Sequence, residues 1–237
     1  MNLKRIGWGV LGLGTLGVVT VVILHAMVFF WVPTESFQGI IQRIFYIHVP
    51  AWWITFLAFG MVALCSTVYL WLGDERLDMA AVAAAEGGMV FCTIGLLTGP
   101  MWARVAWGAW WTWEPRLTLA LLLWFIYLGY FLVRKSTANP EQGKRLAAVV
   151  GIIGILDIPL IHISVSWLRS LHPEAVVLRP DGPNLDAAML GTLMVGLLAH
   201  TLIFFSLFLA RYAVEFLERE LALREATPGP AHGVQVS

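Results

Sequence analysis

The sequence predicts an all-α polytopic membrane protein with six transmembrane helices. Of its 237 residues, 59% are hydrophobic and 13% are charged, whereas soluble domains carry about 45–50% apolar and about 25% charged residues. A helix needs roughly 20 apolar residues to cross a bilayer, and six segments have that length. These segments cover about residues 7–32, 51–72, 79–99, 115–133, 146–168 and 186–210.

The remaining composition narrows the function classes. The net charge is zero, so there is no electrostatic argument for a nucleic-acid partner. Cys65 and Cys92 both fall in apolar runs, which indicates small core side chains and not a disulfide. Lys4 and Arg5 precede an apolar run that is longer than the core of a signal peptide, which predicts an uncleaved first span.

Lysine and arginine positions predict the orientation, because these residues accumulate in cytoplasmic loops. If the N-terminus is cytoplasmic, the inner side holds the larger set: Lys4, Arg5, Arg76, Arg134, Lys135, Lys144, Arg145, Arg211, Arg219 and Arg224. The outer side then holds the smaller set: Arg43, Arg104, Arg116, Arg169 and Arg179. Both termini are therefore predicted to be cytoplasmic. Residues 1–210 would form one membrane domain, and residues 211–237 a cytoplasmic helical extension with a disordered tail.

The first outer loop, at about residues 33–50, has an apolar periodicity. Phe37, Ile40, Ile41, Ile44 and Phe45 recur at the spacing of one helical face. This pattern predicts a short interfacial helix lying on the membrane surface. The alternative is a simple extension of the second span.

The second outer loop, at about residues 100–114, is rich in tryptophan. Of the twelve tryptophans in the chain, five lie here: Trp102, Trp107, Trp110, Trp111 and Trp113. Tryptophan favours membrane interfaces, so an ordinary aromatic belt remains an alternative for any one of them. Their concentration in one short loop favours an aromatic platform for a large, flat ligand with an apolar face.

Charged residues follow the tryptophans. Pro115 suits the first turn of a helix, whose free N–H groups would favour an anion at the loop. Arg104 and Arg116 carry guanidinium groups that pair with carboxylates. Glu114 either orients Arg116 or a tryptophan N–H, or simply occupies the first turn. An aromatic surface with a cationic rim matches haem, which has an apolar macrocycle and two anionic propionates.

Two histidines are predicted at the outer ends of spans, on the same side as the tryptophan loop. His48 precedes Pro50, which is expected to begin the second helix, and His172 precedes Pro173, where the fifth helix ends. Two neutral imidazoles can fill both axial positions of a haem iron. From the residues alone, ordinary surface histidines remain the alternative.

Other ionisable side chains fall inside the spans, where charge is costly and often functional. They are His25, His162, His200, Glu86 and Asp157. The histidines are interpreted as buried side chains bonded to neighbours, and the acids as structural or subunit contacts. Asp157 precedes Pro159, the one proline expected inside a span. The sixth histidine, His232, is expected to be solvated in the tail.

The motif WGAWWTWEPRLT at residues 107–118 resembles the tryptophan-rich signature of the haem-handling proteins of cytochrome c biogenesis. The PRLT ending and the six-helix count resemble the haem exporter protein C family. The resemblance extends over roughly residues 36–210 and includes YIHVP at 46–50. Two departures are Glu114, where the family's usual acid is aspartate, and Val105, where many members have proline.

This resemblance implies a site and a function. The family has one histidine in the loop before the motif and one after it, which implies His48 and His172 as axial ligands. The tryptophans would then stack on a non-covalent, transient haem b, and Arg104 or Arg116 would pair with its propionates. The protein would bind haem at the outer face of the bacterial inner membrane and present it to a haem chaperone during c-type cytochrome biogenesis.

The resemblance also implies partners and excludes turnover by this chain. The partners would be the ATPase and permease subunits of an ABC-type complex, a small single-span membrane subunit and the lipid bilayer. The sequence has no GxxxxGK[ST] loop, so ATP hydrolysis would belong to a partner and the chain would not be an enzyme. It also has no CxxCH sequence, which argues against covalent haem attachment.

Two other function classes stay open from the residues. A membrane b-type cytochrome subunit of an oxidoreductase would ligate haem with His25, His162 and His200. Because His200 is predicted past the middle of its span towards the cytoplasm, a full set of paired histidines is hard to assemble. A permease-type transporter subunit would instead carry polar residues spread through its spans.

Overall fold

The computed structural model describes residues 2–168, 171–172 and 176–226, and within these ranges the chain is helical with no β-strand. The α-helices are α1 (Leu3–Phe30), α2 (Phe45–Leu72), α3 (Glu75–Ala106), α4 (Pro115–Ser136), α5 (Pro140–Gly154), α6 (Asp157–Trp167) and α7 (Ala187–Ala226). A 3₁₀-helix at Ile40–Ile44 leads directly into α2. Predictions for Arg169, Pro173, His232 and a disordered tail fall outside the described residues.

Six helical units are long and apolar enough to cross a membrane, which confirms the all-α, six-span prediction. Helices α5 and α6 together form the fifth span, Pro140–Trp167. The connections that follow α1, α3 and α6 lie at one end of the bundle, here called the motif end. The connections that follow α2 and α4 lie at the opposite end with the described chain ends, here called the termini end.

The second and third spans extend further towards the motif end than the sequence predicted. Helix α2 begins at Phe45 and contains Pro50, so His48 lies on the helix and not in a loop before it. Helix α3 runs through Pro100 to Ala106. The tryptophan-rich loop is therefore shorter than predicted, because Trp102 and Arg104 belong to α3.

Pro50 lies inside α2 at a place where α7 packs closely against the helix backbone. Pro50 has no N–H to donate to Tyr46, the residue four positions earlier. Helix α7 approaches this carbonyl at Gly196, where an added Cβ would lie 2.8 Å from the Tyr46 oxygen. Only a glycine fits at this position of α7 without a shift of the neighbouring backbone.

The predicted interfacial helix is present as the short 3₁₀-helix, continuous with the second span. Ile40 is exposed, and Phe37, just before the helix, is almost fully exposed. Gln42 on the opposite side is buried and donates from Nε2 towards the Tyr46 hydroxyl at 3.4 Å. The segment therefore combines both sequence interpretations, an exposed apolar face and an extension of the second span.

The fifth span is interrupted at Ile155–Leu156, between α5 and α6. Pro159 explains the position, because a proline ring clashes with the carbonyl of the residue four positions earlier, which is Ile155. By starting a new helix at Asp157, the chain places Pro159 in a first turn, where no intrahelical N–H bond is needed. Asp157 is 4% exposed, and its carboxylate has no hydrogen bond within the described residues.

Helices α2 and α3 pack closely at small residues. A Cβ added to Gly88 on α3 would lie 2.6 Å from Cε1 of Phe59, and one added to Gly95 would lie 2.6 Å from Cε2 of Trp52. Phe59 also stacks on Tyr127 of α4, with ring centroids 3.4 Å apart. Small residues allow this approach, which is the usual basis of helix association in lipid.

The first and last spans pack together as an antiparallel pair. Ser206 on α7 donates to the Val10 carbonyl on α1 at 2.9 Å. A Cβ added to Gly17 would lie 2.8 Å from Cγ1 of Ile203. Helix α7 has 40 residues and is about 60 Å long, so it extends well beyond the roughly 30 Å hydrocarbon layer at the termini end.

Ion pairs connect the helices at the termini end. Asp78 on α3 is buried and accepts from both Nη atoms of Arg134 on α4, with Nη1 at 2.7 Å. Glu86, one of the two acids predicted within spans, accepts from Nε of Arg211 on α7 at 2.6 Å. The contact that the structure gives Glu86 is therefore a structural one between α3 and α7.

Alanine substitutions will distinguish glycines at close helix contacts from glycines with open space beside them. Gly88→Ala is expected to destabilise the protein by about 1–3 kcal/mol, because the added methyl overlaps Phe59. Gly129→Ala on α4 is the matched control, since a Cβ there has no neighbour within 4 Å and should stabilise by roughly 0.4–1 kcal/mol. Thermal unfolding in detergent measures both, and equal effects would contradict the packing described here.

Candidate haem site at the motif end

His48 lies in the first turns of α2, at the centre of an aromatic cluster. The side chain is 7% exposed. Its ring is nearly perpendicular to that of Trp102 on α3, with centroids 5.8 Å apart, and Trp52 on its own helix lies 6.3 Å away. Gly99 makes room for the imidazole, because a Cβ there would lie 3.3 Å from Cε1 of His48.

Thr98 fixes which nitrogen of His48 carries the proton. The Thr98 hydroxyl donates to the Ile94 carbonyl at 2.7 Å and lies 2.9 Å from Nδ1 of His48. A hydroxyl has one hydrogen, so Thr98 must accept from an Nδ1–H of the neutral imidazole. The lone pair is thereby left on Nε2, the form of histidine that ligates metals when its other nitrogen is held by a neighbour.

A residue in the connection between α1 and α2 holds the Trp102 side chain in place. Its indole Nε1 donates to Oε1 of Gln38 at 2.6 Å. A turn positions Gln38, because the backbone N–H groups of Gln38 and Phe37 donate to the Glu35 carboxylate at 2.6 and 2.9 Å. These backbone donors hold the pKa of Glu35 below its usual value, so the turn keeps its anionic cap at neutral pH.

Glu114 anchors the segment that carries His172. The acid is 8% exposed and directly precedes α4, where it caps no N–H of its own helix with its side chain. Oε2 instead accepts from the backbone N–H of Leu171 at 2.9 Å. Leu171 is the neighbour of His172, so Glu114 connects the tryptophan motif to the second predicted histidine. The sequence had suggested Arg116 or a tryptophan N–H as its partner.

His172 and Arg116 both lie near His48. Each is close enough for its charge to act on the His48 ring, and Arg116 is also within the field of Glu114. Within the described residues Arg116 makes no hydrogen bond or ion pair. The structure thus brings together two histidines, a guanidinium group and a carboxylate that are far apart in sequence.

The remaining tryptophans line the connection between α3 and α4 with different exposures. Trp110 and Trp113 are 61% and 76% exposed, whereas Trp107 and Trp111 are partly buried. Trp111 packs edge-on against Trp113, with centroids 5.8 Å apart. Nε1 of Trp111 and the Thr112 hydroxyl are buried without a hydrogen-bond partner in the described chain, so two donors are available to an anionic ligand.

Arg104 makes a contact within the chain that the sequence did not predict. Its guanidinium Nη1 donates to the Gly108 carbonyl just beyond the end of α3. Gly108 has a φ of 77°, a conformation that favours glycine. Arg104 therefore closes the turn between α3 and the tryptophan loop, and it is exposed.

Four residues of this site escaped the sequence analysis: Thr98, Gln38, Trp52 and Leu171. Trp52 could have been found, because it lies one turn after His48 on the same helical face. Thr98 and Gln38 carry no local signal, since their partners lie 50 and 64 positions away. Leu171 contributes only a backbone N–H, which any residue except proline provides.

Comparison with known proteins gives a consistent answer over most of the chain. The family profile described as "CcmC: Heme exporter protein C" matches residues 6–227. The chain belongs to the heme exporter protein C family. It is 37% identical to the heme exporter protein C of Bradyrhizobium diazoefficiens over 189 residues, which cover 80% of this chain and 72% of that protein.

Two other relatives show similar coverage. The chain is 31% identical to the heme exporter protein C of Escherichia coli K12 over 183 residues, covering 77% of this chain and 74% of that protein. For Haemophilus influenzae the identity is 30% over 188 residues, covering 79% and 76%. Heme exporter protein C proteins handle haem for cytochrome c maturation, and six apolar spans with bacterial relatives indicate a multi-pass inner-membrane protein.

Removing the Glu114 carboxylate is expected to release the backbone at Leu171. Hydrogen bonds to charged groups contribute about 1.5–3 kcal/mol, so Glu114→Ala should speed hydrogen exchange of the Leu171 amide roughly tenfold or more. Glu114→Gln keeps an acceptor oxygen at the same reach and serves as the control. Unchanged exchange in Glu114→Ala would show that this carboxylate does not hold the His172 segment.

Proposed function

We propose that this chain binds haem b non-covalently and transiently at the motif end and presents it to a haem chaperone during c-type cytochrome biogenesis. His48 and His172 would ligate the haem iron. The tryptophans contact the macrocycle, and Arg116 pairs with a propionate. The observation that carries the proposal is the buried His48 imidazole, whose Nδ1 contacts Thr98 and whose ring is close enough to His172 and Arg116 for their charges to act on it.

The chemistry of the donors fits haem better than a simple metal ion. A tetrapyrrole supplies four equatorial nitrogens, so the protein needs to add only two axial imidazoles. Within the described residues no group of three or more metal-binding side chains is present. Aromatic rings around His48 match an apolar macrocycle, and the unpartnered donors on Trp111 and Thr112 match anionic propionates.

The two arginines differ in what they can offer a propionate. Arg116 stands at the start of α4, where the helix N-terminus adds a partial positive charge. Arg104 already donates to Gly108, so it would have to exchange this carbonyl for a propionate. We therefore assign the main propionate contact to Arg116 and a secondary one, on the rim, to Arg104.

Charge distribution supports an orientation with the motif end outside. The termini end carries the ion-paired residues Arg134, Lys144 and Arg211, together with most other lysines and arginines of the chain. Positively charged residues favour the cytoplasmic side. The motif end would then face the periplasm, where a haem chaperone could reach His48 and His172, and residues 211–237 would be cytoplasmic.

The remaining steps belong to partners. In this proposal the ATPase and permease subunits of an ABC-type complex and a small single-span subunit associate with this chain in the bilayer. The chain itself hydrolyses no ATP, since it lacks a phosphate-binding loop. Its own contribution would be to hold the haem iron through two imidazoles and to offer the exposed Trp110 and Trp113 as apolar contacts for the macrocycle.

Absorption spectra of purified variants test the ligand assignment. His48→Ala and His172→Ala should each lower the haem content by about one haem per chain, because a bis-histidine site needs both ligands. The oxidised and dithionite-reduced spectra should lose the corresponding low-spin signal. His162→Ala, an exposed histidine on α6, is the control.

Chemical rescue separates ligand loss from misfolding. Imidazole added to His48→Gly or His172→Gly should restore the low-spin spectrum, because it can occupy the vacant axial position. Haem content that is unchanged in both histidine variants would contradict the assignment of this site.

Thr98→Val tests the tautomer of His48 while preserving side-chain shape. Loss of the acceptor for Nδ1–H should weaken haem binding by about 10–100-fold, which is typical when a ligand loses its supporting hydrogen bond. Thr55→Val is the matched control, because Thr55 also donates to a carbonyl four residues earlier but touches no histidine. Hemin titrations measure both, and equal affinities would contradict a role for Thr98.

A further inference from the structure

Trp102 on α3 packs against two rings of α2. Its ring is nearly perpendicular to that of His48, with centroids 5.8 Å apart, and to that of Phe45, with centroids 6.2 Å apart. Trp102 also lies one helical turn after Thr98, whose hydroxyl contacts Nδ1 of His48. Residues four positions apart share one face of a helix, so this face of α3 meets the imidazole with a hydroxyl and with an indole ring.

The indole N–H of Trp102 finds its acceptor in the connection between α1 and α2. Nε1 donates to Oε1 of Gln38 at 2.6 Å, although the two residues are 64 positions apart. An indole nitrogen can only donate, and a tryptophan removed from water usually needs such a partner. This bond is the polar contact that holds the plane of the indole ring, because the other atoms of the side chain are apolar.

The backbone around Gln38 is held in a specific turn. The Glu35 carboxylate accepts from the backbone N–H groups of Phe37 and Gln38 at 2.9 and 2.6 Å. The Glu35 carbonyl accepts from the N–H of Gly39 at 3.0 Å. Gly39 has a φ of 61° and a ψ of −142°, a conformation that is open to glycine and costly for other residues. Gln38 is therefore fixed by its neighbours on both sides in the sequence.

Gln38 is the residue of this turn that contacts the aromatic cluster around His48. Ser36 and Phe37 are exposed, whereas the Gln38 side chain is half-buried against Trp102. The turn is thus held by its own backbone and acts on the cluster through one side-chain amide.

This contact reaches His48 only through Trp102. Within the described residues Gln38 makes no hydrogen bond to His48, so it is not a ligand candidate. Without the Gln38 oxygen, the indole would lose the bond that holds its plane, and haem binding would have to order the ring beside the imidazole. Ordering a side chain at the moment of binding lowers affinity.

We propose that Gln38 is a positioning residue for haem binding, which holds Trp102 beside His48 so that this aromatic wall of the site is ordered before haem arrives. The proposal rests on the proposed function for the identity of the ligand. It deepens that function, because it gives the connection between α1 and α2 a part in setting the haem affinity of the motif end.

Hemin titration of the full-length protein measures the effect. Gln38→Leu removes the acceptor at similar size and should lower hemin affinity about 3–10-fold, the typical effect of ordering one large side chain on binding. The saturated variant should keep the low-spin spectrum of the wild type, because the proposed ligands His48 and His172 are unchanged. In the haem-free protein, NMR should show faster hydrogen exchange of the Trp102 indole N–H in Gln38→Leu than in the wild type.

Trp102→Phe supplies the decisive comparison. Phenylalanine keeps an aromatic ring but has no N–H for Gln38, so Gln38→Leu should have no further effect on hemin affinity in this background. Gln42→Leu is the matched control, because Gln42 is a nearby glutamine that donates to the Tyr46 hydroxyl at 3.4 Å and makes no hydrogen bond to Trp102 within the described residues. Gln42→Leu should therefore retain more hemin affinity than Gln38→Leu.

The inference is overturned if Gln38→Leu binds hemin as tightly as the wild type, or if it lowers the affinity equally in the wild-type and Trp102→Phe backgrounds. Equal losses in Gln38→Leu and Gln42→Leu, unchanged indole exchange, or a lost low-spin spectrum at saturating hemin would also overturn it. The proposed function fails differently, since hemin binding would then not depend on His48 or His172 at all, and the role of Gln38 would fall with it.

Discussion

Helices in lipid gain little by hiding apolar surface from one another, so their association depends on close contact and on satisfied polar groups. In this chain the contact that matters most is α2 against α3, where Gly88 and Gly95 admit the rings of Phe59 and Trp52. The same approach sets Thr98 beside His48. A bulkier residue along this seam would move the hydroxyl that determines the protonation of the imidazole.

The sequence predicted the number of spans well. In lipid every backbone polar group must be satisfied within a helix, so a long apolar run is nearly sufficient to identify a transmembrane helix. The sequence predicted helix ends poorly. Pro50 and Pro100 suggested boundaries, but both lie inside helices. At Pro50 the helix packs closely against Gly196 of α7, a contact between distant positions that no local sequence pattern predicts. At Pro159 the chain instead ends one helix and begins another at Asp157.

The site residues that could be predicted were likewise those with a local sequence signal, and the contacts that were missed join distant positions. The tryptophan motif and the flanking histidines were visible because they are concentrated or placed near span ends. The sequence identified Glu114 as a site residue but did not predict its contact with Leu171, because that partner is a backbone N–H 57 positions away. For Arg104 the sequence suggested a propionate partner and missed the Gly108 carbonyl, although a guanidinium close to a helix C-terminus commonly bonds to the last carbonyls.

Neighbouring residues on α2 and α3 face different surroundings. On α2, Ile47 lines an apolar cavity formed with α1, α3 and α7, while the adjacent His48 faces the motif-end cluster. On α3, the Ile94 side chain lines the same cavity while its carbonyl accepts from the Thr98 hydroxyl. Because successive residues on a helix point about 100° apart, the two helices can position the imidazole on one side and pack towards α1 and α7 on the other. A displacement of α2 along α3 would therefore separate His48 from Thr98 and disturb the packing with α1 and α7 at the same time.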